Sequence, residues 1–310
     1  MPIAALVMVA LSMVACSRPS PISDSSPADS KGIEVPHRIV SLAPSVTEVL
    51  YELGLGERVV GVTRYCDYPP EVVGKPVVGG YLDINYEAIV ALEPDLAIGI
   101  QDSTEALRRL NDLGVPTLQV DQHDVAGILD SILRIGEAGG ALELAREIER
   151  EVRSHIGRIG RMTAGSDRPR TLVVVDRVVG SGSVRSVWAA GPTTFYNEIL
   201  ELAGGRNAVE SGLTVYPELS VEGLLSVDPD AIIEVTAELD SRGLDTRTVL
   251  ADWQSLGALR AVASGSVHVF DQEWMVIPGP RVSLIVETFA RALHPGLEWA
   301  RPDGGRSDDG

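Results

Sequence analysis

"NYEAIVALEPDLAI", Asn85 to Ile98, and "SVEGLLSVDPDAII", Ser220 to Ile233, align without a gap. Their Glu, Pro, Asp and final Ile are identical, most other positions exchange like for like, and the copies lie 135 residues apart, Glu87 to Glu222. Each copy opens on a capping residue, Asn85 or Ser220, whose side-chain oxygen can accept a bond from an early helical N–H. The Glu two positions later falls in the first turn, where the helix dipole favours negative charge. A short apolar stretch leads to Pro-Asp, and proline disfavours helical geometry in the residue before it. The β-rich runs that follow, "LAIGI" and "AIIEV", read as buried parallel strands. Each copy is predicted to be helix, turn, strand.

The agreement extends upstream. Tyr81 precedes Glu87 by six residues, as Tyr216 precedes Glu222. "TEVLYELGLGERVVGV" from Thr47 pairs with "NEILELAGGRNAV" from Asn197, each after a Pro (Pro44, Pro192) and each with a glycine stop. "HRIVSLAP" and "RPRTLVVVD" read as the opening strands of two halves. Alternating strands and helices imply an α/β fold of two similar lobes, each a mainly parallel sheet flanked by helices. Solenoid repeats run about 20–50 residues, so this much longer period means two lobes and a cleft between them, where ligands bind by default.

Between the halves, "GALELAREIEREVRSHIGRIGRM" from Gly140 to Met162 contains no proline. Leu144, Ile148, Val152, Ile156 and Ile159 carry helical spacing, which predicts one long connecting helix that limits hinge motion. At 1.5 Å per residue it would be a rod of about 35 Å, roughly one lobe wide.

The chain has 310 residues, 45% of them hydrophobic, and a formal charge of −18. The acidity argues against nucleic acid, whose phosphates recruit Lys and Arg. "MPIAALVMVALSMVA" is too short to span a bilayer, has the length of a signal-peptide core, and ends at Cys16. "MVAC" is similar to a bacterial lipobox, with Met13 where Leu is usual and no Lys or Arg ahead of the apolar run. The expected plan is a leader and lipobox (1–16), a disordered tether (17–36), an N-terminal lobe (37–138), the connecting helix (139–165), a C-terminal lobe (166–300) and a disordered tail (301–310). The chain has two cysteines; with Cys16 lipidated, Cys66 is alone and no intrachain disulfide forms.

Taken together, "RIVSLAPSVTEVLYELGLGERVVGVT", "YCDYPPEV", the two repeat copies, "GPTTFYNEILELAGGRNAV" and "WMVIPGPR" resemble ABC-transporter substrate-binding proteins of the cobalamin and ferric-siderophore class. The resemblance covers about Pro36 to Leu293, and "RYCDYPPEV" is similar to cobalamin-binding members. It implies a non-enzymatic, monomeric capture protein, lipid-anchored in the periplasm or at the cell surface. It would hold cobalamin or a related corrinoid between its lobes, with no cofactor or metal of its own. Glu87 and Glu222 would pair with arginines of the permease. The residues alone also allow a plainer reading, since a first-turn glutamate is stabilised whatever its partner and duplication copies it.

The resemblance further implies ligand contacts at Tyr65, Tyr68, Tyr81, Ile100, Gln101, Tyr216, Trp274 and Arg281. Tyrosine stands at 81 and 216 where corrinoid binders often carry tryptophan. Two rivals stay within the class. An anionic ferric siderophore wants clustered cations, and Arg64, Arg185 and Arg281 are dispersed in sequence. Haem wants an axial His or Tyr, which Tyr65 or Tyr81 could supply. The five histidines (His37, His123, His155, His268, His294) have no metal-ligand spacing. A hydrolase would need a nucleophile elbow, which the glycine-serine run "GSGSVRS" from Gly180 lacks.

Overall fold

The computed structural model describes residues 35–210, 214–237, 239 and 242–299. Cys16, almost all of the 17–36 segment and the 301–310 tail lie outside them. The first half runs β1 (Ile39–Ser41), α1 (Pro44–Glu52), β2 (Val59–Val62), α2 (Tyr86–Ala91), β3 (Leu96–Ile100), α3 (Thr104–Asp112), β4 (Thr117–Val120) and α4 (Val125–Gly139). Its four strands form an all-parallel sheet in the order β2-β1-β3-β4. The long helix α5 (Leu142–Thr163) follows. The second half runs β5 (Arg170–Asp176), β6 (Ser186–Ala189), α6 (Phe195–Leu202), β7 (Arg206–Asn207), β8 (Glu218–Ser220), α7 (Val221–Val227), β9 (Ala231–Val235), α8 (Thr246–Trp253), α9 (Arg260–Ala263), β10 (Val267–Phe270) and α10 (Val282–Leu293).

The second sheet is mixed. Strands β10, β9 and β5 are parallel and β7 pairs in parallel with β5, but β6 runs antiparallel to both its neighbours, β5 and β8. The reason is the connection: the chain passes from β5 to β6 through a short loop, Arg177 to Arg185, with no helix. A parallel crossover needs about a dozen residues or more, so this loop can only return the strand antiparallel.

The repeat occupies matched places in both sheets. Asn85 Oδ1 accepts from Ala88 N at 2.9 Å and Ser220 Oγ from Gly223 N at 3.3 Å, as the capping pattern predicts. The residues ahead of the two prolines are the non-glycine residues with positive φ among those described, Glu93 at 44° and Asp228 at 40°. This left-handed step, uncommon outside glycine, turns the chain from helix into strand. The Asp after each proline then fastens the opening strand of its half. Asp95 accepts from His37 N and Arg38 N (2.7 and 2.9 Å), and Asp230 from Arg170 N (2.9 Å). The arginine side chains complete the clamp, Arg38 on the Leu92 carbonyl (2.6 Å) and Arg170 on the equivalent Val227 carbonyl (3.0 Å).

Helix α5 lies against α4 of the first half and against α10 of the second, where His155 Nε2 meets Glu287 Oε2 at 2.7 Å. Its buried stripe is Ala145, Val152, Ile156 and Ile159; Leu144, expected inside, is exposed instead. The α4–α5 turn explains the shift. Gly140 at φ 73° caps α4, and a Cβ on Gly136 would stand 2.4 Å from the Ala145 methyl, so only small side chains fit that contact. One apolar cluster runs from Val46, Leu50 and Ile98 through Ile132 and Ile159 to Val173, Ile199, Ile285 and Phe289, joining the halves.

The Arg177–Arg185 loop hangs on a buried ion network. Arg177, 6% exposed, reaches Glu234 Oε1 at 2.9 Å and Asp252 Oδ2 at 2.8 Å, and the Gly180 and Gly182 amides donate to Asp252. Trp253 Nε1 donates to Glu234 at 2.6 Å. Burial pushes the Glu234 carboxyl up. It would also raise Asp252, but Arg177 and the two amides outweigh it and hold Asp252 low. The glycine-serine run is thus a structural loop tied to a carboxylate. Arg177→Met strands two buried carboxylates and is expected to cost about 3–5 kcal/mol in urea unfolding; a loss under about 1 kcal/mol would refute this role.

Candidate ligand cleft

The loop after β2 builds one wall. Gly79 (φ 109°) and Gly80 make the turn possible: a Cβ on Gly79 would sit 2.3 Å from the Asp83 carbonyl, and one on Gly80 would strike Arg64 and Tyr65. That turn lays Tyr81 on Tyr65, with ring centroids 5.4 Å apart and planes at 23°. Arg64 and Asp83 brace it with paired bonds of 2.8 and 2.5 Å, and the Arg64 guanidinium carbon lies 5.9 Å from the Tyr65 centroid. Beneath the pair, Cys66 is buried with Sγ 3.2 Å from Thr63 Oγ1, and burial pushes its thiol up. Tyr65 and Tyr81 remain 47% and 46% exposed, so both rings present open surface.

The second wall comes from the other half. Tyr216 is 41% exposed and Trp188, on β6, is 43% exposed. Trp188 pairs with Glu218 across the β6–β8 ladder, and Ala189 N donates to the Pro217 carbonyl. That register places Tyr216 opposite Ala190, on the face that Trp188 shares, while Val187 and Ala189 point into the core. Asp102, in the turn after β3, ties the walls together electrically. Tyr81, in the first half, is pushed up to about 12 by burial and then by Cys66, Asp102 and Tyr65. Tyr216, in the second, is raised by burial and by the same Asp102 carboxylate. One tyrosine from each half is therefore raised in part by the same carboxylate.

A third group lies at Tyr68, three residues along the same loop from Tyr65. Arg281, just before α10, stacks 4.1 Å from the Tyr68 centroid and forms a two-point ion pair (2.5 and 2.9 Å) with Glu48 of α1. Glu48 is buried, which raises its carboxyl even with Arg281 beside it. The bond spans the two halves, as does Glu198 Oε2 accepting from Val125 N at 2.7 Å.

The other sequence candidates divide. Ile100 is 7% exposed and belongs to the core beneath the wall. Gln101 spends its side-chain oxygen on Gln122 N (3.0 Å), and Gln122 in turn accepts from Ser45 Oγ of α1. Trp274, in the turn Glu273–Val276, is half-buried against the core. Glu87 and Glu222 are exposed in the first turns of α2 and α7. Trp188 was missed by sequence reasoning, because the first half has no strand equivalent to β6 for the repeat to match.

Two α/β halves joined by a long helix each carry half-exposed aromatic side chains, Tyr65 and Tyr81 in the first and Trp188 and Tyr216 in the second. Residues 39–273 match the periplasmic binding protein family, and the chain belongs to it. It is an extracytoplasmic, non-enzymatic binding protein of the ABC-transporter class. An uncharacterised ABC-transporter substrate-binding lipoprotein of Bacillus subtilis, YvrC, is 29% identical over 94% of this chain and 96% of its own. The vitamin B12-binding protein BtuF of Vibrio cholerae superposes with a TM-score of 0.71 at 25% identity, covering 84% of this chain and 97% of that one. A heme-binding protein from Pseudomonas aeruginosa superposes equally well, at 0.73 and 25%, covering 86% and 96%. The fold therefore does not choose the ligand.

Asp102→Asn removes the shared acid and is expected to move the alkaline 295 nm phenol titration to lower pH, for Tyr81 and Tyr216 together. An unmoved titration would contradict that shared effect. For Tyr81 the sign also fixes stability. The folded phenol holds its proton more tightly than the unfolded one, so stability is intact below pH 10 and falls between about pH 10 and about 12.

Proposed function

We propose that the cleft captures a corrinoid and that the loaded protein delivers it to an ABC permease. The observation that carries the choice is the charge state of the walls. Four half-exposed rings, Tyr65, Tyr81, Trp188 and Tyr216, offer broad apolar faces. Arg64 is neutralised by Asp83 and Arg281 by Glu48, and Asp102 adds a negative charge against the single unpaired cation of the three, the exposed Arg185. Such a gap suits a large, flat, uncharged ring system such as cyanocobalamin. It suits an anionic iron chelate or the two haem propionates poorly, since these need cations.

Apolar contact suffices energetically. Covering the open half of four rings removes roughly 300–500 Å², or about 8–12 kcal/mol gross before the costs of association. Two interlobe bonds and a shared core leave little room for hinge closure, so capture is a fit between nearly fixed walls. Haem is the second reading, favoured by the half-exposed Tyr65, a candidate axial ligand with the Arg64 guanidinium 5.9 Å from its ring. In this scheme Cys16 carries the lipid that holds the protein at the membrane, and Glu87 and Glu222 meet arginines of the permease. Among the described residues no helix is long and apolar enough to cross a membrane.

Calorimetric titration with cyanocobalamin, haemin and an anionic ferric tris-catecholate separates the readings. Stoichiometric binding of cyanocobalamin, weakened about 10–100-fold by Tyr81→Ala, is the expected result. Tight haemin binding that is lost in Tyr65→Phe, with no cyanocobalamin signal, would overturn it. Glu87→Ala with Glu222→Ala is expected to abolish uptake and leave the titration unchanged.

A further inference from the structure

Val90 and Leu225 stand at the same place in the two copies of the repeat, 135 residues apart, and both are exposed, at 43% and 45%. Each lies three residues after the glutamate, Glu87 or Glu222, and so shares its helix face. One exposed aliphatic residue means nothing by itself. Two at matched positions do, because the copies have diverged elsewhere and the fold accounts for almost every other matched position. Ile89 and Leu224 are buried, as are Pro94 and Pro229. Asn85 and Ser220 cap the helices, and Asp95 and Asp230 fasten the opening strands. Glu93 and Asp228 make the left-handed turn. At 90 and 225 nearly half of an aliphatic side chain is left open to solvent, yet both copies keep one.

We infer that Val90 and Leu225 are apolar anchors of the permease-docking surface. Each sits beside its glutamate as an acid-plus-aliphatic pair that fits an arginine flanked by an apolar pocket. The inference rests on the docking role proposed for Glu87 and Glu222. The duplication specifies the partner: two matched pairs call for a partner with two equivalent halves. The division of labour is that usual at protein interfaces, with charge guiding encounter and orientation while desolvated apolar contact slows release.

The test measures binding of the full mature chain to its ABC permease in nanodiscs by interferometry, comparing four forms. Val90→Ser with Leu225→Ser is expected to weaken binding by about tenfold or more, mostly through faster release. The exchange Val90→Leu with Leu225→Val is expected to bind as the parent does. The cyanocobalamin titration should be unchanged in both, since neither residue is one of the four cleft rings, and it shows that each variant is folded. If the serine variant binds as the parent while Glu87→Ala with Glu222→Ala is weakened, the apolar anchors are refuted and acidic docking stands. If the glutamate variant also binds as the parent, acidic docking falls and the anchors fall with it.

Discussion

A continuous apolar cluster passes from the first sheet through α4 and α5 to α6 and α10, and it fixes how the two halves stand to one another. Everything proposed for the cleft depends on that constraint. Were the halves free to swing, the four rings would define no particular gap, and capture would have to begin with ordering them. Because they share a core, the walls are already in place and the ligand contributes apolar area without a large reorganisation cost. The Glu48–Arg281 pair adds direction to the same restraint. It is shielded, two-pointed and stacked on Tyr68, so it holds a cleft residue as well as the two halves.

The electrostatics of the molecule follow one logic. The chain is strongly acidic, and Arg64 and Arg281 each have their own carboxylate, while the exposed Arg185 just before β6 has none among the described residues. Asp102 then tips the gap negative, and burial, with Asp102 adding to it, raises Tyr81 and Tyr216 further above the physiological range in which phenols are already neutral. Neutral rings are stacking surfaces first and metal ligands second. This is why an uncharged corrin ring fits better than an anionic chelate, although relatives of the same fold are described as binding haem.

Much of the architecture was legible because it is written twice. Asn85 and Ser220, Glu87 and Glu222, and Pro94-Asp95 and Pro229-Asp230 announce helix, turn and strand in each half, and the structure gives each pair the same task. What was not legible had no duplicate or no local signal. Strand β6 has no counterpart in the first sheet, so neither that antiparallel strand nor Trp188 could be found by matching copies. The partner of Arg281 is Glu48, at the far end of the chain, and nothing near either residue in sequence points to the other. The inward shift from Leu144 to Ala145 on α5 was hidden because it depends on how closely Gly136 lets the helices approach.

The central claim is that the ligand lies between prepositioned aromatic walls. A crystal structure of the chain with cyanocobalamin tests it most directly. The account predicts a corrin ring lodged between the Tyr65–Tyr81 stack and the Trp188–Tyr216 face, with the Glu48–Arg281 bond intact and the halves scarcely moved. A corrin bound away from those four rings, or a cleft that closes by breaking that bond, would contradict it.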